Sequence, residues 1–163
     1  MLMDKKEKTN VMRLLDKAEI EYTPHFYDKD IVDGVGIAQA LGENPECTFK
    51  TLVTVSDKGE HFVFVVPVAE SLDLKKAAKA VGVKSLAMIK QKELLPLTGY
   101  IHGGCSPIGM KKRFKTVFHS TAENFEIIYF SAGRVGAQVE INSKKAMEYI
   151  GAKCADIIIK ISK

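Results

Sequence analysis

Tryptophan is absent from this chain of 163 residues, and cysteine is limited to three positions, Cys47, Cys105 and Cys154. An odd number of thiols with no CxxC spacing supports neither a disulfide framework nor a zinc ribbon, and points to free thiols in a reducing cytoplasm. The four histidines, His25, His61, His102 and His119, form no HExxH or HxH pair, so no metal site is expected. Long hydrophobic runs are missing too. No stretch approaches the ~18 apolar residues of a membrane span, and the opening MLMDKKEKTN lacks the apolar core of a secretory signal. The expectation is a cytoplasmic protein with no membrane partner. Charge is not of one sign: 24 Lys and Arg face 20 Asp and Glu, a net +4. Such a balance permits an anionic partner without requiring one.

What is present suffices for one sizeable core, since 46% of residues are hydrophobic. A single domain spanning 1–163 is expected. Residues 9–20 carry Val11, Met12, Leu14, Leu15 and Ala18 at helical spacing, with Thr9 or Asn10 placed to cap. Tyr22, Pro24 and Phe26 alternate as in an edge strand, which is where a sheet tolerates proline. Residues 33–41 predict a short helix closed by Gly42. Residues 48–56 and 61–68, rich in β-branched side chains and joined by Asp57-Lys58-Gly59-Glu60, predict a hairpin. A helix over 71–81 and a short one over 90–95, ending before Pro96, follow. Strands are expected at 115–120, 126–130 and 137–141, a helix at 143–150, and a final strand or tail at 154–159. Helices and strands interleave irregularly, which is the pattern of an α+β, mixed α/β fold.

Four stretches could carry chemistry. In Ile101-His102-Gly103-Gly104-Cys105-Ser106-Pro107-Ile108-Gly109 there is no GK[ST], no GxGxxG and no GxSxG, which removes the P-loop, the dinucleotide fingerprint and the nucleophile elbow. Glycine leaves the backbone approachable, so the loop is either a tight turn or a cradle of N–H donors. Cys105 as a nucleophile would need an activating base or cation, and no catalytic cysteine signature surrounds it. Lys50, in Thr48-Phe49-Lys50-Thr51-Leu52-Val53, either lies on a solvated strand face or must find a carboxylate, a carbonyl or a ligand anion. Lys111, Lys112, Arg113 and Lys115 enclose Phe114 directly after the glycine loop; the run reads as a solvated edge or as a contact for nucleic acid. Gly133 and Gly136 suggest a hairpin loop with Ser131 and Arg134 at its rim.

In order and spacing, several of these stretches resemble the YbaK family of bacterial aminoacyl-tRNA deacylases, also called the prolyl-tRNA synthetase associated domain family. The matching residues are Phe49-Lys50-Thr51-Leu52, Leu72-Asp73-Leu74-Lys75-Lys76, Leu97-Thr98-Gly99-Tyr100, Gly103 to Gly109, and Ser131-Ala132-Gly133-Arg134 with Gly136. The resemblance implies a strongly curved, barrel-like mixed sheet with helices outside, and no cofactor. It implies a trans-editing deacylase that removes cysteine from Cys-tRNA(Pro), with prolyl-tRNA synthetase as a partner. Relatives in the same fold act on alanine, and a non-catalytic module that binds tRNA or a synthetase is a further alternative. The family's critical lysine falls on Lys50, and substrate-positioning roles fall on Tyr22, Thr51, Gly103, Gly104 and Ser131. Two positions depart from the pattern: Ala132 stands where glycine is common, and Gln138 where some relatives carry an acidic residue.

Overall fold

The computed structural model of the chain describes residues 7–160. Its elements are α1 (Asn10–Lys17), β1 (Tyr22–Phe26), α2 (Gly34–Leu41), β2 (Phe49–Ser56), β3 (His61–Pro67), α3 (Leu74–Val81), β4 (Leu86–Met88), α4 (Gln91–Thr98), β5 (Lys115–His119), β6 (Ile127–Arg134), β7 (Ala137–Asn142), α5 (Ser143–Ile150) and β8 (Lys153–Ala155). The fold is mixed α/β, built on two sheets. One has the order β1-β7-β6, the other β4-β2-β3-β5-β8. β3 pairs antiparallel with β2 and parallel with β5.

β3 reads as a continuous apolar run because both of its faces are covered. Val63 and Val65 face the space between the sheets, with Phe49, Val53, Phe118, Phe130, Val139 and α1. Phe62, Phe64 and Val66 face the other way, onto Ala77, Ala78 and Val81 of α3. This alternation makes a layer of helix, a five-stranded sheet and a three-stranded sheet. α1 closes the inner core with Val11, Met12 and Leu15. Its cap is Thr9, whose Oγ1 accepts the Met12 N–H at 3.3 Å.

Four expectations need correction. The sheet does not close into a barrel. The two sheets pack face to face, and outside the named strands a bridge between Thr48 and Tyr129 links them. Strand β6 continues past Phe130 to Arg134, so Ser131 sits in a strand and not at the rim of a loop; a bulge between Ser131 and Arg134 absorbs Ala132 and Gly133. Helix α4 runs through Pro96 to Thr98. Pro96 cannot bond the carbonyl of Lys92, but both residues lie on the exposed face, where water can serve that carbonyl. The last strand is only three residues long, after which Ile158 bridges to Leu72. The short strand β4, unmarked in the sequence by any strong alternation, pairs with β2 only at Thr54–Ser56.

The glycine loop is anchored from both ends. Tyr100 donates its hydroxyl hydrogen to Ile108 O, and Gly104 N–H bonds Ile101 O at 2.9 Å. Ser106, wholly buried, accepts the Ile108 N–H on its Oγ at 3.2 Å. At Gly104 an added Cβ would stand 2.9 Å from Val135 N and 3.2 Å from Arg134 C, both backbone atoms that cannot swing aside. The loop therefore presses on the β6–β7 turn through a bare α-carbon. Gly104→Ala is expected to cost about 1–3 kcal/mol, measured as a lower urea midpoint. An unchanged midpoint would mean that the turn accommodates the methyl.

Candidate active site

In β2 successive peptide groups point to opposite edges. Val53 O accepts the N–H of Ile89 on the β4 side, and Thr48 O accepts the N–H of Val68 on the β3 side. Because β4 pairs only opposite Thr54–Ser56 and the other end is met by β6 at the Thr48–Tyr129 bridge, the edge of β2 is unpaired around Thr51. A cavity of about 400 Å³ lies at that opening. Lys50, Thr51, Gly103 and Ser131 all border it, so three segments distant in sequence are brought together. Its roof is the first turn of α2. Gly34 sits there because a Cβ would fall 2.5 Å from Val68 Cγ1, in the turn after β3. His102, Cys105, Tyr27, Asp33, Thr48 and Gln138 complete the polar lining.

Lys50 is half-buried, and its ammonium makes no hydrogen bond or ion pair among the described residues. Burial pushes its pKa below the ordinary value of 10.5, and the carboxylate of Glu70 opposes that shift. The cavity thus holds a cation with its charge directed at whatever enters. Neither cavity nucleophile is activated. Burial drives the Cys105 thiol up to about 12, which keeps it protonated at neutral pH. Ser131 Oγ accepts the N–H of Gly133 at 3.1 Å, a turn-like contact within its own strand. Two buried oxygens at the cavity have no partner, Thr51 Oγ1 and Gln138 Oε1.

The remaining expected residues lie elsewhere. Tyr22 borders a different hollow, with Lys8, Asp16 and Glu140. Tyr27, one residue beyond β1, occupies the cavity wall instead; its N–H is held by Gly136 O at 3.0 Å. Gly104 supports the loop from behind without lining the cavity. Of the basic cluster, Arg113 spans to the last carbonyls of α5, Tyr149 O at 3.5 Å and Ile150 O at 3.4 Å, a favourable place for a cation. Lys111 Nζ stands 3.5 Å from Pro96 O. Lys112 and Lys115 are exposed, and none of the four borders the Lys50 cavity. Sequence reading missed Glu43 and gave Gln138 only as a departure; in an irregular segment before β2, nothing in the pattern around Glu43 marks it.

Among the described residues no group of three His, Cys, Asp or Glu could hold a metal ion, and no helix is long and apolar enough to cross a membrane. A sequence model of the aminoacyl-tRNA editing domain matches residues 29–149, which contain every residue of the cavity except Tyr27. The chain belongs to the aminoacyl-tRNA editing domain family. It is 39% identical over 156 residues to EbsC of Enterococcus faecalis, named as a proposed Cys-tRNA(Pro)/Cys-tRNA(Cys) deacylase, covering 94% of this chain and 95% of that one. The fold is shared with a crystal structure described as a proposed trans-editing enzyme for prolyl-tRNA synthetase (TM-score 0.81, 23% identity, 94% of this chain and 100% of that one). It is shared too with that of a hypothetical protein, APE2540 (TM-score 0.85, 21% identity, 93% and 100%).

For this editing domain the energetic sign of Lys50 is testable. A base whose folded-state pKa is depressed destabilises the fold fully below that pKa. The cost lifts as pH rises from there toward the unfolded value of 10.5. Lys50→Met keeps the length and removes the charge. It is expected to stabilise the fold by about 1 kcal/mol at pH 7, with the gain shrinking as the pH rises toward the unfolded value of 10.5, and to lower deacylation by about 10²–10³. Thermal melts across pH, paired with turnover, check both arms; a variant less stable than the parent would contradict the account of an unpaired cation.

Proposed function

We propose that the protein is a trans-editing deacylase for cysteinyl-tRNA, acting on Cys-tRNA(Pro), in which the substrate's own thiol is the nucleophile. The observation that carries this reading is a cavity with an unpaired lysine cation and no activated nucleophile of the protein. An ordinary esterase needs a base-activated serine or cysteine, or a metal-bound water. A cysteinyl ester brings a thiol with a pKa of about 8.5, a few per cent ionised near neutrality.

In the proposed reaction the thiol loses its proton to solvent, and its sulfur attacks the ester carbonyl. An S–C bond forms and the C–O bond to the terminal ribose breaks. The ribose oxygen takes a proton and leaves with the tRNA, and the amino acid departs as a cyclic thiolactone. Lys50 supplies positive charge that favours the thiolate and the developing oxyanion. Thr51, the Gly103 backbone and Ser131 hold the ester in the geometry that makes the attack intramolecular. Lys112 and Lys115, exposed beyond the loop, suit contact with the phosphates of the acceptor stem. Prolyl-tRNA synthetase as a partner fits this reading, because the mildly basic surface gives little basis for choosing one tRNA.

A pocket distinguishes ligands that differ by one methyl group by only about 1–3 kcal/mol. Reactivity separates cysteine from alanine and serine much further. The isolated protein is expected to cleave Cys-tRNA(Pro) and Cys-tRNA(Cys) at similar rates. With Ser-tRNA(Pro) kcat/KM should fall at least about a hundredfold, since far less alkoxide than thiolate is available. Comparable turnover of Ser- and Cys-tRNA would overturn the thiol mechanism, and absence of any deacylation would overturn the function.

A further inference from the structure

The cavity wall holds a polar side chain with spare acceptor capacity, Gln138, and a half-buried carboxylate, Glu43, lies behind it. Gln138 lies in the middle strand of its sheet, opposite Ser131 on β6 and His25 on β1, and is 4% exposed. Behind it stands Glu43, fixed where α2 ends: its N–H bonds Ala38 O at 2.8 Å, just after Gly42 turns left-handed with φ 70°. Burial pushes the Glu43 carboxyl up from its ordinary value, and the neighbouring Gln138 side chain works against that shift by favouring the carboxylate. A carboxylate only accepts, so the amide NH₂ faces Glu43 and Oε1 faces the cavity. That Oε1 has no partner, and neither has Glu43 Oε2. Glu43 Oε1 is poorly served as well. The Thr48 hydroxyl lies 3.3 Å away but has a better acceptor in Asn44 O at 2.9 Å. Thr51 Oγ1, on the same cavity, is a third buried oxygen without a partner. Buried oxygens left unpaired are costly, and two of them, Gln138 Oε1 and Thr51 Oγ1, belong to residues that line the cavity, which marks a place built for a donor.

Resting on the deacylase reading, we propose that Gln138 Oε1 receives the α-ammonium of the aminoacyl ester, with Thr51 Oγ1 as a second acceptor and Glu43 as the positioning residue that orients and polarises the amide. Near its reacting carbonyl the ester offers two hydrogen-bond donors besides the thiol: the ammonium and the ribose hydroxyl. The ribose hydroxyl is neutral and gains little from a carboxylate behind its acceptor. An ammonium carries three donors and a full charge, and it enters a cavity already occupied by the Lys50 cation. The Glu43 carboxylate offsets that charge through the amide dipole. His25 on the flanking β1 and Glu140 on β7 itself, paired at 2.7 Å, also bear on Glu43, with opposite signs.

The test compares Cys-tRNA with 3-mercaptopropionyl-tRNA, which lacks the ammonium and adds no bulk. Each rate is divided by the spontaneous hydrolysis rate of the same ester, so that intrinsic reactivity cancels. The wild-type protein should favour the cysteinyl ester at least tenfold. Gln138→Leu should bring the ratio near one, and Glu43→Gln to an intermediate value that Glu43→Asp partly restores. Asp33→Asn, which removes the rim carboxylate, should leave the ratio as in the wild type. Equal normalised rates in the wild-type protein overturn this proposal while leaving the deacylase standing. So does a full preference surviving Gln138→Leu, or a preference lost in Asp33→Asn alone. No cleavage of Cys-tRNA by the wild-type protein overturns both.

Discussion

An ammonium held half-buried with no ion pair is the constraint on which the rest of this structure depends. Left to itself, a lysine on a β-rich segment turns to water. Lys50 does not, because α2 covers it and the turn after β3 closes over its flank. Burial lowers its pKa, and only the more distant Glu70 opposes the shift. The fold bears this cost through rigid surroundings. β3 is packed on both faces, the glycine loop is clipped by Tyr100 and pressed against the β6–β7 turn, and β4 stops short enough to leave the edge of β2 open.

That arrangement suits a reaction needing little more than position and charge. The aminoacyl ester is already activated, and a cysteinyl substrate supplies its own sulfur. Discrimination by reactivity also explains why the cavity need not be tightly fitted. Proline, alanine and cysteine are all small, and a wall that rejects one by size admits another. A protein thiol in the same cavity would compete with the substrate's, and burial keeps Cys105 protonated and out of that competition.

Much of this was legible in the residues. The hairpin of β2 and β3 announced itself through β-branched runs around Asp57-Lys58-Gly59-Glu60, and α1 and α2 through their caps, Thr9 and Gly42. Lys50, Thr51, Gly103 and Ser131 came from resemblance, and they border one cavity. Other features depend on packing that no local pattern carries. The path of α4 through Pro96 turns on which face meets solvent. The length of β6 depends on a bulge, and the openness of the sheets on how two faces meet. Tyr22 and Tyr27 sit five residues apart near one edge strand, and only the three-dimensional course of β1 decides which of them reaches the cavity. The Glu43–Gln138 pair unites a residue after α2 with one on β7, a contact between segments far apart in the chain.

The account stands or falls on where the acyl group goes. Rapid quenching of Cys-tRNA(Pro) turnover with hydroxylamine, followed by mass spectrometry of the small molecules and of the intact protein, follows it directly. The account predicts cysteine thiolactone or its hydroxamate, at a yield matching the tRNA released, with the protein at its unmodified mass throughout. A cysteinyl group carried on Cys105 or Ser131 during turnover would contradict it.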